Sequence, residues 1–234
     1  MSAAVITGAS AGLGRAIARA LAERGWSLII DARGEAALRT TERELAHSAH
    51  VVAIAGDVTD PAHRNALVAA ARRFGRLDLL VNNASHLGPS PQPRLERYPL
   101  DALQRVYEVD VLAPLAITQG ILPLLAAARG TIVNITSDAA VEPYEGWGGY
   151  GSAKAALDQV TAILGTEHPE LSVYAFDPGD MRTQMHQLAF PGEDISDRPE
   201  PEAVVPAFLR LIETRPKSGR FRASELSSLE AVGS

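Results

Sequence analysis

The sequence predicts an α/β chain: a doubly wound parallel sheet with helices on both faces. Three observations predict it. Short apolar runs alternate with longer stretches of helical periodicity, the pattern of strand and crossover helix. The first apolar run ends in a glycine-rich turn that opens the first helical stretch. The chain has 234 residues, 46% of them apolar, which suits one domain with a full core.

The elements follow in order. Residues 4–7, 27–31, 51–55, 79–82, 131–135 and 173–176 are short and apolar, and read as strands buried on both faces. Helical patterns occupy residues 13–24, 35–46, 61–74, 100–125 and 150–166, and the crossovers are expected to be right-handed. The third opens at Thr59-Asp60-Pro61, with cap residues ahead of a proline that suits a first helical turn. The fourth contains Pro114 and Pro123, which predict a kink or an early end. A last helix over 202–213 precedes a short edge strand over 219–222. Residues 88–93 and 190–201 carry too many turn formers for regular structure. The second of these follows the last buried strand, where it is a candidate cover for a substrate. Residues 1–223 read as one domain and 224–234 as a frayed C-terminal tail.

Composition narrows the function classes. The net charge is −6 and no basic block occurs, so nucleic acid is not an expected partner. There is no cysteine, which excludes a disulfide framework. The six histidines are scattered without a His-x-x-x-His pair, so no metal site is expected, and most read as ordinary surface or loop residues. The N-terminus lacks the pattern of a signal peptide, and no apolar stretch reads as a membrane span. The expectation is a cytoplasmic protein with no membrane partner.

Two motifs carry chemistry. In Thr7-Gly8-Ala9-Ser10-Ala11-Gly12-Leu13-Gly14, Gly8 suits a tight turn and Gly12 close approach to a pyrophosphate. Gly14 suits close packing of helix on strand, and the helix N-terminus supplies free N–H groups for phosphate. The second motif is Tyr150-x-x-x-Lys154. Positions i and i+4 share a helix face, and a nearby ammonium favours the phenolate. The chain has only two lysines, Lys154 and Lys217, among 22 basic residues, which argues against a generic surface charge for a lysine four residues after a tyrosine.

The Gly8/Gly12/Gly14 spacing, Asn82-Asn83-Ala84 after the fourth strand, Ser137, Tyr150-x-x-x-Lys154 and Pro178-Gly179 followed by Thr183 occur in one order. Together they resemble the short-chain dehydrogenase/reductase family, in its one-domain branch, over roughly residues 3–185. The resemblance implies a single-domain Rossmann-like fold and a hydride-transferring oxidoreductase that interconverts a carbonyl compound and a secondary alcohol. It implies Tyr150 as general acid or base, Lys154 lowering its pKa and binding the nicotinamide ribose, and Ser137 orienting the carbonyl. Gly8, Ser10, Gly12, Leu13 and Gly14 would hold the cofactor. Asp57 and Val58 would lie at the adenine, Asn83 and Ala84 beside the adenosine ribose, and Pro178, Gly179 and Thr183 near the nicotinamide. Ser137 also suits a turn with Thr136 and Asp138, and Asp57 also suits a helix cap. A homo-oligomer, dimer or tetramer, paired through the helices over 100–125 and 150–166, is a further implication.

Three positions depart from the family pattern. Asp110 stands where a catalytic asparagine is usual, replacing a donor and acceptor with a group that, ionised, only accepts. Its charge is expected to disfavour the Tyr150 phenolate and favour the Lys154 ammonium. Ser85 follows Asn-Asn-Ala where glycine is usual, and a positive φ would be costly there. At the end of the second strand the NAD-selecting acid is replaced by Ala32, with Arg33 next. An arginine there suits a 2′-phosphate, so NADP(H) is preferred. Asp31, one residue early, leaves NAD(H) as the alternative if it turns toward a 2′-hydroxyl. An NAD-preferring alcohol dehydrogenase and a dinucleotide-binding regulatory protein with weak catalysis are the rival readings.

Overall fold

The computed structural model describes residues 2–228. The strands are β1 Ala3–Ile6, β2 Ser27–Ala32, β3 Val51–Ala55, β4 Leu79–Asn82, β5 Thr131–Ile135, β6 Ser172–Asp177 and β7 Gly219–Arg222. They form one parallel sheet in the order β3-β2-β1-β4-β5-β6-β7. The order reverses between β1 and β4, and a crevice opens there at the carboxyl ends of the strands.

The period-two alternation of β1 and β2 divides the core. Ala4, Ile6, Leu28 and Ile30 face one layer, which holds α1 (Gly12–Glu23), α2 (Glu35–Leu45) and α8 (Val205–Thr214). Ala3, Val5 and Ile29 face the other, which holds α3 (Pro61–Phe74), α5 (Ala113–Ala128) and α6 (Gly148–Glu167). Asp60 accepts a hydrogen bond from the Ala62 N–H and so caps α3, with Pro61 in its first turn. The strands β1, β2, β4, β5 and β6 are thus buried on both faces, as their apolar runs require, while the edge strands β3 and β7 are partly exposed.

Pro114 and Pro123 do not end the fourth helical stretch. α4 (Leu100–Tyr107) runs through a π-type turn, Glu108–Leu112, into α5. The Ala113 N–H bonds to the Glu108 carbonyl, five residues back, and Pro114 falls in the first turn of α5, where a missing N–H costs least. Pro123 lies on an exposed side, and the Gln119 carbonyl it leaves unpaired is on an exposed residue. Contrary to the expectation of no membrane-length apolar stretch, the continuous run Leu100–Ala128 is long and apolar enough to cross a membrane by length and composition. One side of it, Ile117, Ile121 and Leu125, is buried in the second core layer.

The irregular stretches appear where breakers cluster. Residues 88–93 form no helix or strand, and neither do 190–200 after the short helix α7 (Gln184–Ala189); Pro201, the last residue of the expected irregular stretch, opens a 3-10 turn, Pro201–Val204. The expected frayed tail instead begins with a helix, α9 (Ala223–Ser228). Leu226 is buried in the first core layer, which gives this segment a reason to order. Residues 229–234 of that tail lie outside the described residues.

Candidate active site

The cleft at the β1/β4 switch has a volume of about 450 Å³. Its floor is the glycine turn. Gly8 and Gly12 have φ of +66° and +53°, which favour glycine. A Cβ on Gly8 would stand 2.9 Å from the Ala84 Cα, and one on Gly14 would stand 2.5 Å from the Gly8 carbonyl oxygen. Thr7 and Asn83 fasten this close approach. The Asn83 and Ala84 N–H groups donate to Thr7 Oγ1, and Asn83 Nδ2 donates to the Thr7 and Gly8 carbonyls. Asn83 is therefore a structural clamp as well as a cleft residue. α1 opens at Ala11 with no side-chain cap, so its first N–H groups border the cleft without a side-chain partner.

Ser10, Gly12, Leu13, Arg33, Asp57, Val58, Asn83, Ala84, Ser137, Tyr150, Lys154, Pro178, Gly179 and Thr183 all line this cleft with Gly8. Gly14 lies behind the turn, and Asp110 lies behind Lys154. Asp57 is more constrained than its sequence context suggests. Burial pushes its carboxyl up, but hydrogen bonds from Thr59 and Arg105 win and hold it below the usual range. Ser137 does two things at once: it borders the cleft and caps the short turn Asp138–Ala140 by accepting from the Ala139 N–H. Thr183 likewise caps α7 from the cleft wall.

Tyr150 and Lys154 share a face of α6, with the Lys154 Nζ 5.4 Å from the Tyr150 ring centroid. Both are buried. Nζ donates to the Ile135 carbonyl at 2.9 Å and pairs with Asp110 at 3.3 Å. Burial dominates Tyr150 and raises its pKa; Lys154 pulls it down and Asp110 pushes it further up. The Lys154 effect has the expected sign, but the net displacement is upward because the phenolate would lose its hydration. For Lys154, burial favours the neutral amine, yet Tyr150 and Asp110 outweigh it and keep the ammonium.

Asp110 is fully buried, and burial raises its pKa against Lys154, Ser85 and the His86 N–H. Ser85 Oγ donates to Asp110 at 2.5 Å. Ser85 does not adopt a positive φ, so its Cβ carries no backbone strain.

The short chain dehydrogenase family profile matches residues 2–194. The chain belongs to the short-chain dehydrogenase/reductase family. A sepiapterin reductase of Mus musculus is 35% identical over 199 residues, 79% of this chain and 76% of the relative. A benzil reductase ((S)-benzoin forming) of Saccharomyces cerevisiae is 32% identical over 214 residues, 88% of this chain and 79% of the relative. Among solved structures, a short chain dehydrogenase of Shigella flexneri complexed with NADP superposes with a TM-score of 0.88 at 27% identity, covering 95% of this chain and 97% of that one. This chain is accordingly an NAD(P)-dependent oxidoreductase of that family, acting on small molecules.

Three features of this family member have no local signature in the sequence. The departures at Ser85 and Asp110 form one hydrogen-bonded pair; their separation of 25 positions hides it. His63 is buried against Asp31, unlike the surface or loop placement expected of most of the histidines; no local pattern marks it. Arg220 in β7, beyond the family match, donates to the Ser137 carbonyl at 3.0 Å, to Asp177 at 2.9 Å and to Asp158 at 3.1 Å. It ties the Ser137 turn and the end of β6 to α6 on the side opposite the glycine turn.

Proposed function

We propose that this enzyme is an NADP(H)-preferring reductase that converts a carbonyl compound to a secondary alcohol and runs in reverse as an alcohol dehydrogenase. The observation that carries the reading is that Tyr150, Lys154 and Ser137 line the same cleft as the glycine turn. The absent side-chain cap on α1 and Gly12, which borders the cleft with a positive φ and no close protein neighbour, fit a dinucleotide pyrophosphate. The bound nicotinamide supplies the hydride chemistry. Arg33, exposed on the cleft rim, is the residue for a 2′-phosphate, with Gly8, Ser10, Gly12 and Leu13 at the pyrophosphate and Asp57, Val58, Asn83 and Ala84 around the adenosine. Lys154, Pro178, Gly179 and Thr183 serve the nicotinamide half.

Tyr150 holds the proton. The phenol is protonated at neutral pH, as an ordinary tyrosine is, and its raised pKa leaves it so; its O–H is donated to a carbonyl oxygen as negative charge develops there. Ser137 orients that oxygen, and Lys154, fixed by Ile135 and Asp110, stabilises the phenolate left behind. Leu87, Trp147, Met185 and Ala189 pack around Tyr150 and favour an apolar or aromatic group on the carbonyl carbon. The relative named for forming (S)-benzoin from benzil supports the reducing direction. Two copies pairing through α4–α5 and α6, which leave Leu112 and Ile163 exposed, complete this reading; light scattering that finds only monomer at micromolar concentration ends that part of it.

The expected outcomes are specific. Calorimetric titration gives tighter binding of NADPH than NADH, and Arg33→Ala weakens NADPH alone; equal loss for both cofactors refutes the 2′-phosphate role. With a carbonyl panel read at the nicotinamide absorbance, Tyr150→Phe loses about 10²–10⁴-fold in turnover while cofactor still binds. Near-normal turnover in that variant removes Tyr150 from the mechanism. Asp110→Asn takes away a charge that raises the Tyr150 pKa, so the phenolate needed for alcohol oxidation forms at lower pH. The basic limb of the oxidation profile then moves toward neutral pH, and an unmoved profile shows that the carboxylate does not reach Tyr150.

A further inference from the structure

We propose that His63 withdraws Asp31 from cofactor recognition, leaving Arg33 as the charge that the cofactor meets at the end of β2. The inference rests on the NADP(H) reading above and explains how an acid beside Arg33 is compatible with it. The alternation along β2 sends Leu28 and Ile30 to the α1 layer and Ile29 to the α3 layer. Asp31 therefore shares the side of Ile29, under α3. The β1–β2 register pairs Ile6 with Ile30, which brings Asp31 beside Thr7 and the start of the glycine turn. There Asp31 Oδ1 accepts the Gly8 N–H at 2.8 Å, and its own carbonyl accepts the Ala9 N–H at 2.8 Å. The other carboxylate oxygen, Oδ2, lies 2.8 Å from His63 Nε2.

With Asp31 ionised, its oxygens only accept, and His63 Nε2 is then the donor in this pair. The side chains of Asp31 and His63 are 1% and 5% exposed. The imidazole fits because position 56 is glycine: a Cβ there would collide with the ring. Both oxygens of Asp31 are thus engaged within the protein, and a ribose hydroxyl would have to displace one of these partners. Arg33, two residues on, is exposed and borders the cleft. Asp31 borders the same cleft, but its carboxylate is buried there while the Arg33 cation is exposed. Without the imidazole, a buried carboxylate would lose one of its two partners, and turning toward the cleft would regain solvation. In that position it would accept a 2′-hydroxyl and repel a 2′-phosphate.

The test is the dissociation constant of NADPH and of NADH for the full chain, by calorimetry, without turnover. His63→Leu is expected to lower the NADPH/NADH preference by about tenfold or more, through like charge brought beside the phosphate. His63→Gln keeps a side-chain N–H for Asp31 and is expected to retain most of the preference. An unchanged ratio in His63→Leu overturns the proposal. Should that variant fail to fold, Asp31→Ala decides. Equal changes for both cofactors support a withdrawn Asp31, while weakening confined to NADH shows that Asp31 holds the ribose and overturns it. A wild-type enzyme that prefers NADH, with Asp31→Ala neutral between the cofactors, refutes the Arg33 reading and leaves the withdrawal of Asp31 standing.

Discussion

An ammonium group with almost no solvent contact sits at the centre of this protein, and its environment follows from the need to satisfy it. Lys154 is 2% exposed. A cation removed from water needs close partners, and its Nζ has the Ile135 carbonyl and the Asp110 carboxylate. Asp110, itself fully buried, needs partners in turn and takes Ser85 Oγ and the His86 N–H. The π-type turn Glu108–Leu112 carries Asp110 to this position within a helix that otherwise packs as α4 and α5. The residues at positions 85 and 110 therefore form one hydrogen-bonded unit. A second acceptor on the side chain at 110 is matched by a hydroxyl donor at 85, and the ammonium keeps its charge although it is buried.

The cleft is held open by fastenings on its two sides. On the first, Thr7, Asn83 and Asp31 fix the glycine turn through its own backbone groups, so the N–H groups at the start of α1 stay available beside the cleft. On the second, Arg220 joins the Ser137 carbonyl, Asp177 and Asp158, and Asp177 also accepts the Gly179 N–H. The two sides meet at α6, which carries Tyr150 and Lys154 toward the cleft and Asp158 toward Arg220. Preorganisation of this kind lets fixed donors act on developing charge without rearranging during the reaction. Because Arg220 lies in β7, the last strand contributes to the site's geometry even though it supplies no residue to the cleft lining.

The sequence by itself determined the sheet and the spacing of the site. The six apolar runs read as strands buried on both faces, and the Gly8/Gly12/Gly14 turn follows the first of them, so the strands and their crossover helices were legible, whereas the short helix α7 and the π-type turn were not. Tyr150 and Lys154 were legible because four residues are about one helical turn, a relation that sequence spacing records directly. Tertiary structure alone decided the pairings between distant positions: Ser85 with Asp110, Asp31 with His63, Asp57 with Arg105, and Ser137 with Arg220. It also decided that Pro114 would be absorbed by a π-type turn rather than break its helix, and that burial would outweigh Lys154 in setting the Tyr150 pKa. The physical reason is common to all of these. A hydrogen bond or a desolvation penalty depends on what the rest of the fold brings within a few ångströms, and local periodicity carries no record of that.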